Sequence, residues 1–278
     1  MFRLLALDID GTLVNSRDEL TEATREAIGR AQRAGIGVVL ATGRRYSRSL
    51  HLVDHLAIDQ PLVTASGALV RHPQGHRTLF RAEFRPEILS RLLAYLAAAH
   101  YDPVLYTDSF AEGFDFYCPR LKVEQPELAE FYRLNDGVGR EWPNLVDNPP
   151  PGVFALFAMG TKLQMAALGA ELAAAWPDDF AIHVLRSPRY TGWMCEIAPA
   201  GISKWSGVEH VAAAAGIRDD EICAVGDDVN DIPMIRGAGL GVAMGNALDE
   251  VKAAADRIAP GHDSDGLVTV VDWLLSGG

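Results

Sequence analysis

The chain has 278 residues, of which 49% are hydrophobic and 22% charged, and its net charge is −12. This composition is typical of a folded protein with one large domain or two ordinary ones, and it excludes disorder over most of the chain. Basic residues do not concentrate in any segment, so no nucleic-acid partner is expected. No apolar run approaches the ~20 residues that cross a bilayer, so no membrane partner is expected either.

The N-terminus and the cysteines both favour a cytoplasmic protein. Asp8 and Asp10 interrupt the apolar start of the chain before a secretory signal could form. The three cysteines are far apart and share no metal-type spacing, which predicts buried free thiols rather than disulfides. They are Cys118, Cys195 and Cys223.

The first 82 residues alternate short apolar runs with amphipathic helical patterns, which is typical of an α/β protein. Residues 4–7 predict a buried strand that ends at Asp8. A helix is predicted next, with Thr21 as its N-cap and Gly35 just beyond its end. The remaining elements predicted here are a strand at 36–40, a helix at 46–56 and a strand at 62–64.

The middle of the chain has a different character. Residues 83–190 hold most of the aromatic residues and prolines, with 9 Lys and Arg against 15 Asp and Glu. Short mixed strands, two helices (87–99 and 162–176) and a proline-rich loop at 144–152 are predicted there. From Gly201 the α/β alternation returns, with predicted helices at 204–215, 232–238, 250–255 and 267–274 and strands at 222–225 and 240–243.

This organisation predicts an α/β core that is interrupted by a second domain. The core comprises residues 1–82 and 191–278, and the inserted domain comprises residues 83–190. Hinges are expected near residues 81–85 and 187–192. Arg189 and Tyr190, close to the second hinge, are candidates to close over a substrate.

Polar residues gather where the predicted parallel strands end. Because ligands bind beyond the carboxyl ends of strands in open α/β sheets, these residues are expected to converge on one crevice. They are Asp8 and Asp10 after the first strand, Thr42 and Gly43 after the second, Lys204 at the start of a helix, and Asp227, Asn230 and Asp231 after the strand at 222–225.

Such a set of side chains favours phosphoryl transfer. Clustered aspartates repel one another unless a cation lies among them, and carboxylates and carbonyls suit Mg²⁺. Thr42, the Gly43 amide and Lys204 offer donors for phosphoryl oxygens. One carboxylate can attack phosphorus, and a second, two residues on, can protonate the leaving oxygen and later deprotonate water. The chemistry predicted is metal-assisted phosphoryl transfer.

These motifs resemble those of the haloacid dehalogenase-like phosphatases, in particular the Cof-type subfamily. The matching motifs are DxDGT at 8–12, the strand-terminal Thr42, Lys204, GDxxND at 226–231, the stretch 234–247 and Asp265-Gly266. With their flanking residues they extend from residue 4 to residue 267, although the predicted insert carries none. One departure is Ser66, which stands before Gly67 where the subfamily usually has Asn.

The resemblance implies a Rossmann-like core with a parallel sheet, an inserted α+β cap domain that is mobile, and Mg²⁺ as cofactor. It implies that Asp8 is the nucleophile and a metal ligand. Asp10 would be the general acid and base and would bind the metal through its carbonyl. Asp227 would be the third metal ligand and Asp231 an outer one. The phosphate-binding residues would be Thr42, Gly43, Lys204 and Asn230.

The predicted function is a Mg²⁺-dependent phosphatase that hydrolyses a small phosphomonoester, such as a sugar phosphate or related metabolite, through an aspartyl-phosphate. One alternative is a phosphomutase of the same superfamily, which returns the phosphoryl group to the substrate. Another is a dehalogenase, which does not need Mg²⁺; Thr12 and the complete metal set argue against it. A third is a non-catalytic ligand-binding protein on the same fold, which is disfavoured because no catalytic position is degenerate.

Two arginines next to the predicted site have open interpretations. Arg44 and Arg45 follow Gly43 directly, and either could neutralise substrate charge or lie on the surface. The substrate's identity and the oligomeric state are not predicted by any motif in the chain.

Overall fold

Strands and helices alternate through residues 1–276, which are the residues described by the computed structural model of the chain. The strands are β1 (Leu4–Leu7), β2 (Gly37–Leu40), β3 (Leu62–Thr64), β4 (Leu69–Arg71), β5 (Thr78–Arg81), β6 (Val104–Thr107), β7 (Phe116–Cys118), β8 (Gly139–Glu141), β9 (Val153–Gly160), β10 (Phe180–Leu185), β11 (Trp193–Pro199), β12 (Ile222–Gly226), β13 (Leu240–Ala243) and β14 (Arg257–Ile258). The α-helices are α1 (Glu22–Arg33), α2 (Tyr46–Leu56), α3 (Pro86–Ala98), α4 (Pro126–Leu134), α5 (Lys162–Ala175), α6 (Lys204–Ala214), α7 (Ile232–Gly237), α8 (Asp249–Ala254) and α9 (Gly266–Leu275).

The chain divides into two units, and the first contains Met1–Arg81 and the chain from Ile202 onward. Its main sheet has the strand order β14-β13-β12-β1-β2, and all neighbouring strands are parallel. In the centre, Leu4 of β1 is in register with Gly37 of β2 and with Ile222 of β12. This is the predicted parallel α/β core.

Helices cover both faces of this sheet. Leu4 and Ala6 point to one face of β1, where they pack with Val208 of α6 and Met234 of α7. Leu5 on the other face is also fully buried. A strand buried on both faces needs a continuous apolar sequence, which explains the run Leu-Leu-Ala-Leu.

A small antiparallel sheet extends the first unit. It has the order β3-β4-β5, and a parallel bridge between Ala41 and Val63 connects it to the end of β2. The predicted strand at 62–64 is confirmed as β3, and the predicted helix at 46–56 is confirmed as α2. The turn after β3 contacts the end of β2, because the Ser66 amide donates a hydrogen bond to the Thr42 carbonyl.

The second unit comprises Ala82–Gly201. Its mixed sheet has the order β10-β11-β9-β6-β7-β8, in which only β7 and β8 are parallel. Helices α3 and α5 pack on this sheet through Leu92, Leu96 and Leu168. The predicted insertion of an α+β domain into an α/β core is confirmed.

The predicted end of the insert, at residue 190, is wrong. Strand β11 pairs antiparallel with both β9 and β10, so the chain does not leave the second unit until Gly201. The segment 187–192, predicted as a hinge, therefore lies inside this unit. Tyr190 is buried there, where its hydroxyl accepts a hydrogen bond from Asn135 Nδ2 at 2.9 Å.

The cysteines are buried and free, as predicted. Burial raises the pKa of Cys118 to about 11 and that of Cys195 to about 12, and it raises the pKa of Cys223 as well. Thiols with such pKa values stay protonated at neutral pH and are poor nucleophiles. Across the described residues, none of the helices combines the length and the apolar character that a membrane span requires.

Candidate active site

The strands of the first unit bring the predicted site residues to one edge of the parallel sheet. Asp8 directly follows β1, Asp227 directly follows β12, and Thr42 lies two residues beyond β2. Lys204 is the first residue of α6, and its helix is capped by the Ser203 hydroxyl, which accepts a hydrogen bond from the Ser206 amide at 3.1 Å. The convergence follows from parallel strands that end at the same edge.

Three of the predicted aspartates form one group with the lysine, in which Asp8 and Asp231 are buried and Asp227 is partly exposed. Asp8, Asp227 and Asp231 each offer a carboxylate oxygen, and these oxygens lie within 4.8 Å of one another. Lys204 Nζ donates to Asp8 Oδ1 at 2.7 Å and to Asp231 Oδ1 at 2.6 Å. The Lys204 side chain is 2% exposed, so both ion pairs are shielded from water.

The three carboxyl groups outnumber the one ammonium group, which makes ionisation of all three unfavourable. Burial raises the pKa of Asp8 to about 8 against the opposing effect of Lys204, and burial together with the charges of Asp8 and Asp231 raises the pKa of Asp227 to about 9. Burial alone would lower the pKa of Lys204, but Asp231 and Asp8 hold it above its usual range. A bound cation would favour the ionised form of these carboxyl groups and so lower their pKa values.

Asp231 is the most completely enclosed of the three carboxylates, and both of its oxygens have partners. Oδ1 accepts from Lys204, and Oδ2 accepts from the backbone amides of Asp227 at 2.9 Å and Asp228 at 3.0 Å. The side chain is fully buried. It therefore holds Lys204 and the turn after β12 in place.

Thr12 and Asn246 orient the Asp227 side chain, although neither contact was predicted. Thr12 Oγ1 donates to Asp227 Oδ1 at 3.2 Å, and Asn246 Nδ2 donates to the Gly11 carbonyl at 2.9 Å and to Asp227 Oδ2 at 3.3 Å. Gly11 has a φ of +81°, and a Cβ there would lie 2.2 Å from Asp227 Oδ2. The sequence feature that could have identified Asn246 as a site residue is its position three residues beyond β13, at the same edge of the sheet.

Thr42 and Gly43 lie in the turn between β2 and α2. Thr42 is 1% exposed, and its Oγ1 accepts a hydrogen bond from the Arg44 amide at 3.1 Å. Its backbone is bound on both sides, by the Val63 carbonyl and the Ser66 amide. Because Thr42 Oγ1 is an acceptor in this bond, its hydroxyl hydrogen can be donated elsewhere.

Asp10 is not part of the group of three carboxylates. Its two carboxylate oxygens accept from Arg44, Oδ2 from Nε at 2.8 Å and Oδ1 from Nη2 at 2.7 Å. Arg44 is 7% exposed, so the interpretation of this arginine as a surface residue is wrong. The bidentate pair explains the burial, since a buried guanidinium needs a carboxylate partner.

Asn230 lies beside the turn that follows β3. Its Nδ2 donates to Ser66 Oγ at 3.4 Å, whereas its buried Oδ1 has no hydrogen-bond partner within residues 1–276. Ser66 adopts a left-handed backbone with a φ of 53°, a conformation that suits Asn better than Ser. The departure from the subfamily pattern therefore falls on a strained position next to a predicted phosphate-binding residue.

Gly67 packs this turn directly on the start of α6. Its φ is +102°, and a Cβ at Gly67 would lie 1.9 Å from the Ser203 carbonyl oxygen. The carbonyl belongs to the N-cap of the helix that carries Lys204, so the two segments can approach this closely only without a side chain.

We expect Gly67→Ala to destabilise the protein more than Gly75→Ala. Gly75 also has a positive φ, +71°, but a Cβ there meets no atom within 4 Å. The left-handed backbone costs roughly 1–2 kcal/mol in both variants, and the clash with Ser203 adds roughly 1–3 kcal/mol in the first alone. Urea unfolding of the two variants measures the difference, and equal losses would contradict the close packing.

Comparison with known proteins places the chain in a family. The sequence matches the haloacid dehalogenase-like hydrolases over residues 5–271. It is 29% identical to 5-amino-6-(5-phospho-D-ribitylamino)uracil phosphatase YwtE of Bacillus subtilis, over 99% of each chain, and 28% identical to pyridoxal phosphate phosphatase YbhA of Escherichia coli, over 97% of each chain. The fold is similar to a crystal structure of a haloacid dehalogenase-like hydrolase from Bacteroides thetaiotaomicron, with a TM-score of 0.79, 27% identity, and 99% of this chain and 100% of that chain covered.

These relatives and the fold agree with the motifs read from the sequence. The predicted α/β core with an inserted α+β domain has the architecture of the solved structure. The relatives are named phosphatases, which confirms the prediction of a phosphoric monoester hydrolase. The chain therefore belongs to the haloacid dehalogenase-like hydrolase family.

Proposed function

We propose that this phosphatase hydrolyses small phosphomonoesters with Mg²⁺ as cofactor, through an aspartyl-phosphate on Asp8. The observation that carries the proposal is the group of three neighbouring carboxylates, two of them buried and paired with the same lysine. A structural ion pair would need only one carboxylate for one ammonium. Three ionised carboxylates beside one ammonium are unfavourable unless a further cation binds, so the presence of all three favours a cation site.

The donor set fits Mg²⁺. Carboxylate and carbonyl oxygens are hard ligands, and Mg²⁺ retains positions for water and for phosphate oxygens. Asp8 and Asp227 would hold the ion through their carboxylates and Asp10 through its main-chain carbonyl. Asp231 would act from outside, because its fully buried carboxylate is held by Lys204 and by two backbone amides. When bound, the ion would polarise the phosphoryl oxygens and offset their charge.

The protein's own residues supply the nucleophile and the phosphate contacts. The Asp8 carboxylate attacks phosphorus, and the ester oxygen leaves. Lys204 and the Thr42 hydroxyl, both buried, stabilise the phosphoryl oxygens, together with the Gly43 amide and the Asn230 side-chain amide. Asp10 gives a proton to the leaving oxygen and then takes one from the water that hydrolyses the aspartyl-phosphate.

The second unit, Ala82–Gly201, would serve as the cap. Every residue to which this mechanism assigns chemistry belongs to the first unit. The mechanism leaves recognition of the leaving group to residues outside this set, and the second unit is proposed to supply them.

The substrate class is a small phosphorylated metabolite. The relatives are named for two different compounds, a phosphoribitylamino uracil and pyridoxal phosphate. The feature these compounds share is a phosphomonoester on a small organic molecule. Within that class, a sugar phosphate or a related metabolite is proposed for this chain.

Metal removal tests the proposal. Phosphate release from a panel of phosphorylated metabolites should disappear in EDTA and return with Mg²⁺, whereas Ca²⁺ should inhibit. Calcium prefers more ligands at longer distances, which misaligns the nucleophile and phosphorus. Full activity in chelator would contradict the metal-assisted mechanism. Conversion of a hexose 1-phosphate to its 6-phosphate isomer, without free phosphate, would show a phosphomutase instead.

A further inference from the structure

Four charged side chains form a continuous series of ion pairs that begins at Asp10. Arg44 binds both oxygens of Asp10, and its Nη2 also donates to Asp18 Oδ1. The other oxygen of Asp18 accepts from Arg48 Nη2 at 2.9 Å. The order Asp10, Arg44, Asp18, Arg48 alternates in sign, and only Asp10 has a role in the proposed reaction.

The burial of these groups differs strongly along the series. The Arg44 side chain is 4% exposed, whereas those of Asp10 and Asp18 are 27% and 50% exposed. Arg44 Nη1 is buried and has no partner among the described residues, so the guanidinium retains an unused donor. A guanidinium this buried must keep at least one carboxylate.

While Arg44 is bound in this way, neither oxygen of the Asp10 carboxylate is free of the guanidinium. To protonate a leaving oxygen, the Asp10 carboxyl group must turn away from at least one guanidinium nitrogen. That movement would break at least one of the two hydrogen bonds between Arg44 and Asp10, so the buried guanidinium would need a second carboxylate within hydrogen-bond distance. Asp18 is that carboxylate, because it already accepts from Nη2.

The backbone holds Asp18 in this position. Its φ is 61°, and its amide donates to the Asn15 carbonyl at 2.9 Å. The Asn15 side chain closes the same turn by accepting from the amides of Arg17 at 2.9 Å and Glu19 at 3.1 Å. With Arg44 on one oxygen and Arg48 on the other, the Asp18 carboxylate is paired on both sides.

We propose that Arg44 and Asp18 are positioning residues for Asp10: Arg44 orients the Asp10 carboxylate, and Asp18 retains the guanidinium when Asp10 turns to the leaving group. This inference rests on the proposed function, since it gives Asp10 its role in phosphate ester hydrolysis. Without Asp18, Asp10 remains the sole partner of Arg44 and is released less often.

The variant Asp18→Asn tests the proposal, because Asn is isosteric and tolerates a left-handed backbone. The probes are phenyl phosphate, whose leaving group needs a proton, and 4-nitrophenyl phosphate, whose leaving group needs little help. We expect kcat/KM to fall roughly tenfold for phenyl phosphate and less than about threefold for 4-nitrophenyl phosphate, within the range that general acid catalysis contributes. In an Asp10→Asn background, Asp18→Asn should leave the ratio of the two kcat/KM values unchanged.

Asp263→Asn is the matched control. Its carboxylate accepts from the Ser16 amide at 2.9 Å and so supports the same loop without touching Arg44. This variant should leave the ratio of the two kcat/KM values at that of the parent. Equal losses on both esters in Asp18→Asn, or the same change of ratio in Asp263→Asn, would overturn the positioning role alone. A parent protein that hydrolyses neither ester would instead contradict the proposed function.

Discussion

Replacing Asp8 with Asn should lower kcat by at least ~10³-fold, the usual scale for loss of a nucleophile. The amide is almost the same shape but carries no negative charge, so it cannot attack phosphorus. The change also removes one of the three carboxylates that lie within 4.8 Å of one another. Lys204 keeps its contact with Asp231, so we expect the variant to fold. Phosphate release in the presence of Mg²⁺ measures the loss.

Asp220→Asn is a suitable control for Asp8→Asn. Asp220 lies in the same unit, its side chain is 70% exposed, and it pairs with Arg218 on the surface. This control should retain the activity of the parent. If Asp8→Asn itself kept activity within tenfold of the parent, Asp8 would not be the nucleophile.

Replacing Lys204 with Met should affect both catalysis and stability. The methionine fills a similar volume, but Asp8 and Asp231 then lie buried beside each other without a cation. Breaking a buried ion pair on one side costs roughly 3–5 kcal/mol of unfolding free energy. The phosphoryl oxygens also lose a positive charge, for which we expect a decrease in kcat of roughly 10²–10³-fold.

Urea unfolding with and without Mg²⁺ separates the two effects of Lys204→Met. If the carboxylates bind the ion, Mg²⁺ should stabilise this variant more than the parent, because it replaces the lost cation. Lys252→Met, on α8 in the same unit, serves as a control and should change the unfolding free energy by less than about 0.5 kcal/mol. Parent-like stability of Lys204→Met without metal would contradict this account of the ion pairs.

The first unit was largely predictable because its elements carry local signals. Apolar runs mark the buried strands β1 and β13, and the periodicity of residues 46–56 marks α2 with the bounds that the structure has. Thr21 caps α1 as predicted, since its side chain accepts from the Thr24 amide at 3.2 Å. The parallel sheet then follows from the alternation of strands and helices.

The second unit was predicted less well because its organisation depends on pairing between distant strands. Nothing local to residues 193–199 indicates that β11 pairs with β9 and β10, so the unit ends later than predicted. The short helix α4 was also missed. It has nine residues, begins with a proline and buries the aromatic residues Phe131 and Tyr132, which resemble a strand signal.

The site residues could be predicted from their positions at the ends of strands, whereas the side chains that hydrogen-bond to them could not. The ends of parallel strands identify Asp8 and Asp227, whereas the pairing of Asp10 with Arg44 depends on how the turn after β2 approaches the turn after β1. The assignments of nucleophile, acid and metal ligands remain predictions that the variants above test.

The order of the strands in the parallel sheet determines when this protein can fold during synthesis. Strand β1 is made first, but its partner β12 begins 218 residues after it, and the whole second unit is translated in between. At a ribosomal rate of roughly 5–20 residues per second, the strands β1 and β2 wait more than about ten seconds for the rest of their sheet. The second unit is continuous and can form its own core during that time. Lys204 and Asp231 follow the second unit in the chain, so the site residues cannot assemble until that whole unit has been translated.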